Sequence, residues 1–190
     1  MMAAAVDGYL FIIEGASLQP IAASPQQLNC VAISEDKSVI ATGGLEQKLF
    51  IFNRQANGSY AASHTVSLGI EIKSVAISNL RIFATGASSS MVVYDLITLA
   101  EIQVINTALT TINKVSVDGT GETISLISSH SLLTYKYKHN DSAFVFLETV
   151  FAGLPGLRDV SISANGARMM VTVLGSQVEV YVGCNVPHCF

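Results

Sequence analysis

Tryptophan is absent from the 190 residues, cysteine occurs three times and proline four times. Charge is scarce as well: 13% of the chain is Asp, Glu, Lys or Arg, about half of the ~25% usual in a soluble domain. With half the residues apolar, a disordered chain and a long charged helix are both excluded. The 10 Lys and Arg stand against 14 Asp and Glu, with no block of one sign. That balance excludes a dedicated binder of nucleic acid or of acidic membranes. Cys30, Cys184 and Cys189 are too few, and odd in number, for a disulfide framework. No window approaches the ~18 to 20 uninterrupted apolar residues of a membrane span, so the mean hydropathy of +0.48 is assigned to buried strands. The first eight residues carry no basic side chain, and Asp7 and Glu14 flank the apolar run Tyr9–Ile13. A secretory signal is therefore not expected, and the expected compartment is reducing and cytoplasmic. Without a signal, Asn57-Gly58-Ser59 and Asn140-Asp141-Ser142 read as turns rather than glycosylation sites.

What the chain does contain is an internal repeat. Val31-Ala32-Ile33-Ser34 is followed by Ile40-Ala41-Thr42-Gly43 and then by Leu49-Phe50-Ile51-Phe52. Val75-Ala76-Ile77-Ser78 is followed by Ile82-Phe83-Ala84-Thr85 and Val92-Val93-Tyr94-Asp95. Two further copies begin at Val115-Ser116-Val117-Asp118 and Val160-Ser161-Ile162-Ser163. Ile33, Ile77, Val117 and Ile162 then align in steps of 44, 40 and 45 residues. Each unit has strand chemistry, because branched and small residues alternate at period two and place bulk on one face. Turn residues follow each first segment, as in Glu35-Asp36-Lys37, Asn79-Leu80-Arg81 and Ala164-Asn165-Gly166. The third segment ends on an aromatic: Phe52, Tyr94, Tyr135 or Tyr181. Less regular fourth strands lie at Tyr60–Ser67, Glu101–Ile105 and Phe144–Thr149, the first of them reached through a tight turn at Asn57-Gly58.

Four-stranded units repeating every 40 to 45 residues predict an all-β fold, a β-propeller of four-stranded antiparallel blades. The expected blades cover 28–70, 71–108, 109–152 and 153–182. An N-terminal segment, 1–27, supplies two strands of a partial blade, and 183–190 is a tail. A seven-bladed ring needs on the order of 300 residues. The expectation is thus an open or partner-completed propeller rather than a small closed one.

The order of elements resembles the WD-repeat family of β-propellers over roughly residues 28 to 182. Its best run is Thr42-Gly43-Gly44-Leu45-Glu46-Gln47-Lys48-Leu49-Phe50-Ile51-Phe52-Asn53, where Phe52-Asn53 stands in place of the family's Trp-Asp and Tyr94-Asp95 is the nearest second copy. The family's Gly-His pair is missing: Ser24, Leu68, Ala108 and Gly153 occupy its places. The bracing His-Ser-Trp-Asp network therefore cannot form, and Thr42 and Glu46 are left as its remnant.

The resemblance implies binding through residues just before each innermost strand. One such residue comes from each blade, Asn29, Lys73, Asn113 and Arg158, with Lys114 and Asp159 beside two of them. The plainer reading makes all of these solvated strand-start residues. Cys184, His188 and Cys189 are too few for a structural zinc site. Lys136-Tyr137-Lys138-His139 is thin as a nucleic-acid platform, and His64, His130 and His139 read as surface residues. Gly43-Gly44 and Gly119-Thr120-Gly121 are assigned to inter-strand turns, and no phosphate loop or nucleophile elbow occurs. The expected role is a non-enzymatic scaffold binding protein partners within a complex, with no cofactor, no metal and no small-molecule ligand. The alternatives are a guanine-nucleotide exchange propeller of vesicle transport, or a propeller enzyme using channel residues.

Overall fold

The computed structural model describes residues 1–152, 155–174 and 177–182, with 151, 152 and 177–182 described through their strand placement alone. The described residues form strands and turns without a helix. Five antiparallel sheets follow one another along the chain. The first holds β1 (Met2–Val6), β2 (Tyr9–Glu14) and β3 (Ser17–Ala22). The second holds β4 (Leu28–Ile33), β5 (Val39–Gly44), β6 (Lys48–Arg54) and β7 (Tyr60–Ser67). The third holds β8 (Ile72–Ile77), β9 (Arg81–Gly86), β10 (Ser90–Asp95) and β11 (Glu101–Asn106). The fourth holds β12 (Lys114–Val117), β13 (Thr123–Ile127), β14 (Ser131–Lys138) and β15 (Ala143–Ala152). The fifth holds β16 (Leu157–Ile162), β17 (Arg168–Val173) and β18 (Gln177–Val182). Each strand pairs with its sequence neighbour, so every sheet is a meander.

Strands form here because large and small residues alternate, and they end where a short polar side chain captures the backbone. The residue closing each repeat motif is Ser34, Ser78, Asp118 or Ser163, and it does the same work each time. Ser34 Oγ accepts the Val39 amide at 2.9 Å, and Ser163 Oγ accepts that of Arg168 at 2.9 Å. Ser78 Oγ accepts the Arg81 amide at 3.1 Å, while the Asp118 carboxylate takes those of Glu122 and Thr123. These local bonds satisfy groups that the ladder leaves over.

The sheets stack face to face, and the core lies in the seams between them. Leu10 and Ile12 meet Ile40, Phe52 and Tyr60 between the first and second sheets. Ala41, Leu49 and Ile51 meet Ile72, Ile82 and Tyr94 in the next seam. Phe83, Met91 and Val93 meet Ile124, Leu133 and Tyr135, and finally Ile127 and Leu132 meet Leu157, Val160 and Val171. The first strands β4, β8, β12 and β16 are successive neighbours and mark the inner edge of the arc. Gly44 and Gly86 allow the closest backbone approaches there. A Cβ on Gly44 would lie 2.0 Å from the Gln27 carbonyl oxygen, and one on Gly86 would lie 1.8 Å from that of Glu71. Gly43 and Gly44 are thus the end of β5 rather than part of a turn, and the turn proper is Leu45–Gln47.

The N-terminal segment carries one strand more than its pattern announced, because Met2–Val6 pairs with β2 along its whole length. Its three strands correspond to the second, third and fourth of the complete sheets. Gln19 on β3 donates to the Tyr60 carbonyl at 3.3 Å and accepts the Tyr60 amide at 3.2 Å. Gln103 on the fourth strand β11 brackets Phe144 of the following sheet in the same way, at 3.2 and 2.8 Å. The Ala23 amide bonds the Gly8 carbonyl just as that of Leu68 bonds Gln47 and that of Thr107 bonds Ser89. The first sheet therefore lacks an innermost strand. The five sheets form an arc of a β-propeller and do not close into a ring. Among the described residues no helix is long and apolar enough to cross a membrane.

Candidate functional site

At the start of β4 the register against β5 slips by one residue between Leu28 and Cys30. The same slip occurs between Ile72 and Ser74 on β8, and between Leu157 and Asp159 on β16. The extra residues are Asn29, Lys73 and Arg158, so three of the four strand-start positions are β-bulges. A bulge turns a side chain out of the ladder and toward the sheet rim. Asn113 holds the equivalent place just before β12, its amide bonded to the Ile127 carbonyl at 2.8 Å. Beneath them Leu28, Ile72, Ile112 and Leu157 are buried and anchor the four starts.

The six residues do not share one role in the structure. Asn29 Nδ2 reaches across to the next sheet, donating to Glu71 Oε1 at 3.0 Å and to the Ile72 carbonyl at 3.1 Å. Lys114 Nζ lies 3.5 Å from Asp159 Oδ1, tying the fourth sheet to the fifth. Both side chains are about half exposed, so this pair contributes at most ~1 kcal/mol. Asn113 Nδ2 donates to Ser129 Oγ at 3.3 Å. Lys73 and Arg158 have no ion pair among the described residues. Lys73 and Asn113 line an open groove of about 320 Å³ with Thr110, Thr111, Ser128, Ser129 and His130. No carboxylate lines it, so it presents hydroxyl and amide groups around one ammonium. Sequence reasoning missed these serines and threonines. Their only signal was adjacency to Asn113 and to the turn after β13.

Elsewhere the side chains serve the fold. Ser24 Oγ donates to Glu46 Oε2 at 2.8 Å. The Glu46 carboxyl is held below the usual range by its bonds to Lys48 and Ser24. The Thr42 hydroxyl points elsewhere and donates to the Cys30 carbonyl at 2.6 Å. Tyr137 is not a free stacking platform: the Arg81 guanidinium lies 3.9 Å from its ring centre. Arg81 reads as a turn residue in the sequence, yet it is buried at the start of β9 and donates to the Gly121 carbonyl at 3.2 Å. His139 is exposed and bonds Glu122 at 2.8 Å.

The Cys30 thiol, which donates to the Gly43 carbonyl at 3.5 Å, is pushed up to about 12 by burial. It stays protonated near neutral pH and is unsuited to nucleophilic or ligand chemistry. Among the described residues no three His, Cys, Asp or Glu side chains converge on a point that could hold a metal ion. Cys184, His188 and Cys189 lie outside the described residues.

No family model and no curated protein sequence matches the chain. Solved structures do. A chain of the Kuenenia stuttgartiensis hydrazine synthase superposes with a TM-score of 0.72 at 15% identity, covering 87% of this chain and 49% of that one. A chain from a crystal structure of the mitotic checkpoint complex superposes with a TM-score of 0.75 at 12% identity, covering 93% and 56%. The chain thus spans about half the length of the solved chains it resembles. At such identities the likeness carries the fold, and the fold is that of a propeller.

Proposed function

We propose that the chain is a WD-repeat-like propeller scaffold, without catalytic activity of its own, that associates with protein partners inside a cytoplasmic complex. The observation that carries this reading is the open arc, in which the five sheets do not close into a ring among the described residues. Apolar surface withdrawn from water stabilises an assembly by roughly 25 cal/mol per Å², and a standard interface takes about 800 Å² from each partner. The run Thr42–Asn53 and the Ser24–Glu46 hydrogen bond support the WD-repeat label. The likeness to a chain of a multiprotein checkpoint assembly accords with scaffold work by this fold.

The bulge arc is the surface assigned to partner reading, with Lys73 and Arg158 as charges without an ion pair among the described residues, Asn113 bonded to Ser129, and Asn29, Lys114 and Asp159 holding the sheets that carry them. Isolation of the protein from its native source, followed by mass determination, tests the reading. A stoichiometric complex is expected. Lys73→Glu combined with Arg158→Glu weakens that complex about tenfold and leaves the melting temperature within a degree or two. Recovery of the chain alone, with a bound nucleotide or metal, overturns the scaffold reading.

A further inference from the structure

The groove between the starts of β8 and β12 holds hydrogen-bond donors that the fold does not consume. Leu109 and Ile112 are buried in the seam of the third and fourth sheets. The Ile112 amide also donates to the Gly86 and Ser88 carbonyls, each at 3.2 Å. Thr110 and Thr111, between these two anchors, are thereby held at the surface as part of the groove wall. The turn after β13 completes the wall and is fixed by Ser128, whose Oγ accepts the His130 and Ser131 amides at 3.2 and 3.0 Å. Ser129 Oγ accepts Asn113 Nδ2 at 3.3 Å, and its own proton has no acceptor among the described residues. The same holds for the Thr110 and Thr111 hydroxyls and for the Lys73 ammonium.

The electrostatics lean the same way. No Asp or Glu lines the groove. The carboxylates closest in sequence to the bulge cations are engaged elsewhere: Glu71 Oε1 with Asn29 Nδ2 at 3.0 Å, and Asp159 Oδ1 with Lys114 Nζ at 3.5 Å. The Ser129 carbonyl accepts the Gly156 and Leu157 amides at 3.1 and 3.2 Å, which brings the start of β16, with its exposed Arg158, to the margin of the groove. The groove therefore has one cation in its wall and a second beside it, neither with a counter-ion among the described residues.

Resting on the scaffold reading, we infer that this groove takes a phosphorylated serine or threonine from an extended segment of the partner. A phosphoryl group brings a charge of about −1.5 to −2 and three acceptor oxygens, which matches two cations and a surplus of neutral donors. A carboxylate has two oxygens and a single charge, and it engages fewer of them. At about 320 Å³ and open to solvent, the groove admits such a side chain together with its flanking backbone. Lys73 supplies the charge-assisted bond, and the Thr111 and Ser129 hydroxyls supply bonds that fix the orientation.

Fluorescence anisotropy on the full chain tests this with three degenerate peptide libraries, centred on phosphoserine and phosphothreonine, on serine and threonine, and on glutamate. The phosphorylated library is expected to bind at least about tenfold more tightly than either of the others. Lys73→Gln weakens that binding by a similar factor, and so does Thr111→Val combined with Ser129→Ala. Lys136→Gln removes the same charge from an exposed position at the other end of β14 and leaves binding unchanged. Melting temperatures of all these variants stay within a degree or two of the parent. Equal binding of the glutamate library, or no binding of the phosphorylated one, overturns the inference. So does inorganic phosphate that competes as well as the phosphopeptides do, since the flanking segment then contributes nothing. Phosphatase treatment of the native complex separates this inference from the scaffold reading. A complex that survives complete dephosphorylation refutes the phosphoryl site and keeps the scaffold, whereas phosphopeptide binding by a chain recovered without any protein partner does the reverse.

Discussion

Arg81 shows how much one side chain can hold in a chain so poor in charge. Its guanidinium is buried, donates to the Gly121 carbonyl and covers the Tyr137 ring, so it fastens the third sheet to the fourth. Its Nε has no hydrogen-bond partner, a desolvation cost that the aromatic contact offsets. Arg81→Lys loses the planar stack and the bond to Gly121 and is expected to lower unfolding free energy by about 1–3 kcal/mol, measured by urea denaturation. Cys30 offers a second residue-scale test. Its native thiol holds a proton to about pH 12, whereas an unperturbed thiol gives it up near 9.0. The native state then binds the proton more tightly, so the stability linked to this group is intact below pH 9 and declines as pH rises from there toward 12. At pH 8 a thiol reagent should label Cys30 in the native protein far more slowly than in urea. Neither role was visible in the sequence, where Arg81 looks like a turn residue and Cys30 like any small strand residue. Both depend on which sheet lies opposite.

At the scale of strands the sequence was more informative. Branched residues at period two, closed by Ser34, Ser78, Asp118 or Ser163, announced the first strand of each complete repeat, and the polar residue four places before each alignment position was visible as a recurring place. That three of these places are bulges was not, because a bulge is a property of pairing between two strands rather than of one. β1 was missed for a related reason. Met2-Ala3-Ala4-Ala5-Val6 has almost no β-branched content, and alanine favours strands poorly. Pairing with the strongly apolar β2 overrides that preference. The outer-edge glutamine brackets give an element-scale prediction. Gln103→Ala removes both bonds to Phe144 and is expected to cost about 1–2 kcal/mol, with faster hydrogen exchange at the Phe144 amide. Gly86→Ala should cost more, upward of about 2 kcal/mol, since its Cβ would lie 1.8 Å from the Glu71 carbonyl oxygen and β8 would have to move.

For the whole molecule the governing fact is that each sheet touches only its neighbours. Stability in such an array is close to a sum of sheet and seam contributions, and its ends open first. Hydrogen exchange should therefore be slowest in β5, β6, β9, β10, β13 and β14, which have a packed sheet on both sides, and fastest in β1 and β3. Equal protection throughout would mean that the ends are covered in solution. The polar ties between sheets are also unevenly placed. Glutamine brackets join the outer strands of the first and second sheets and of the third and fourth. Asn29 joins the second and third only at the inner margin. Among the described residues the outer strands β7 and β11 share no such tie. Separation of those two strands is therefore resisted by the apolar seam alone, so Ile51, Ile72 and Tyr94 should carry any flexing of the arc between the second and third sheets.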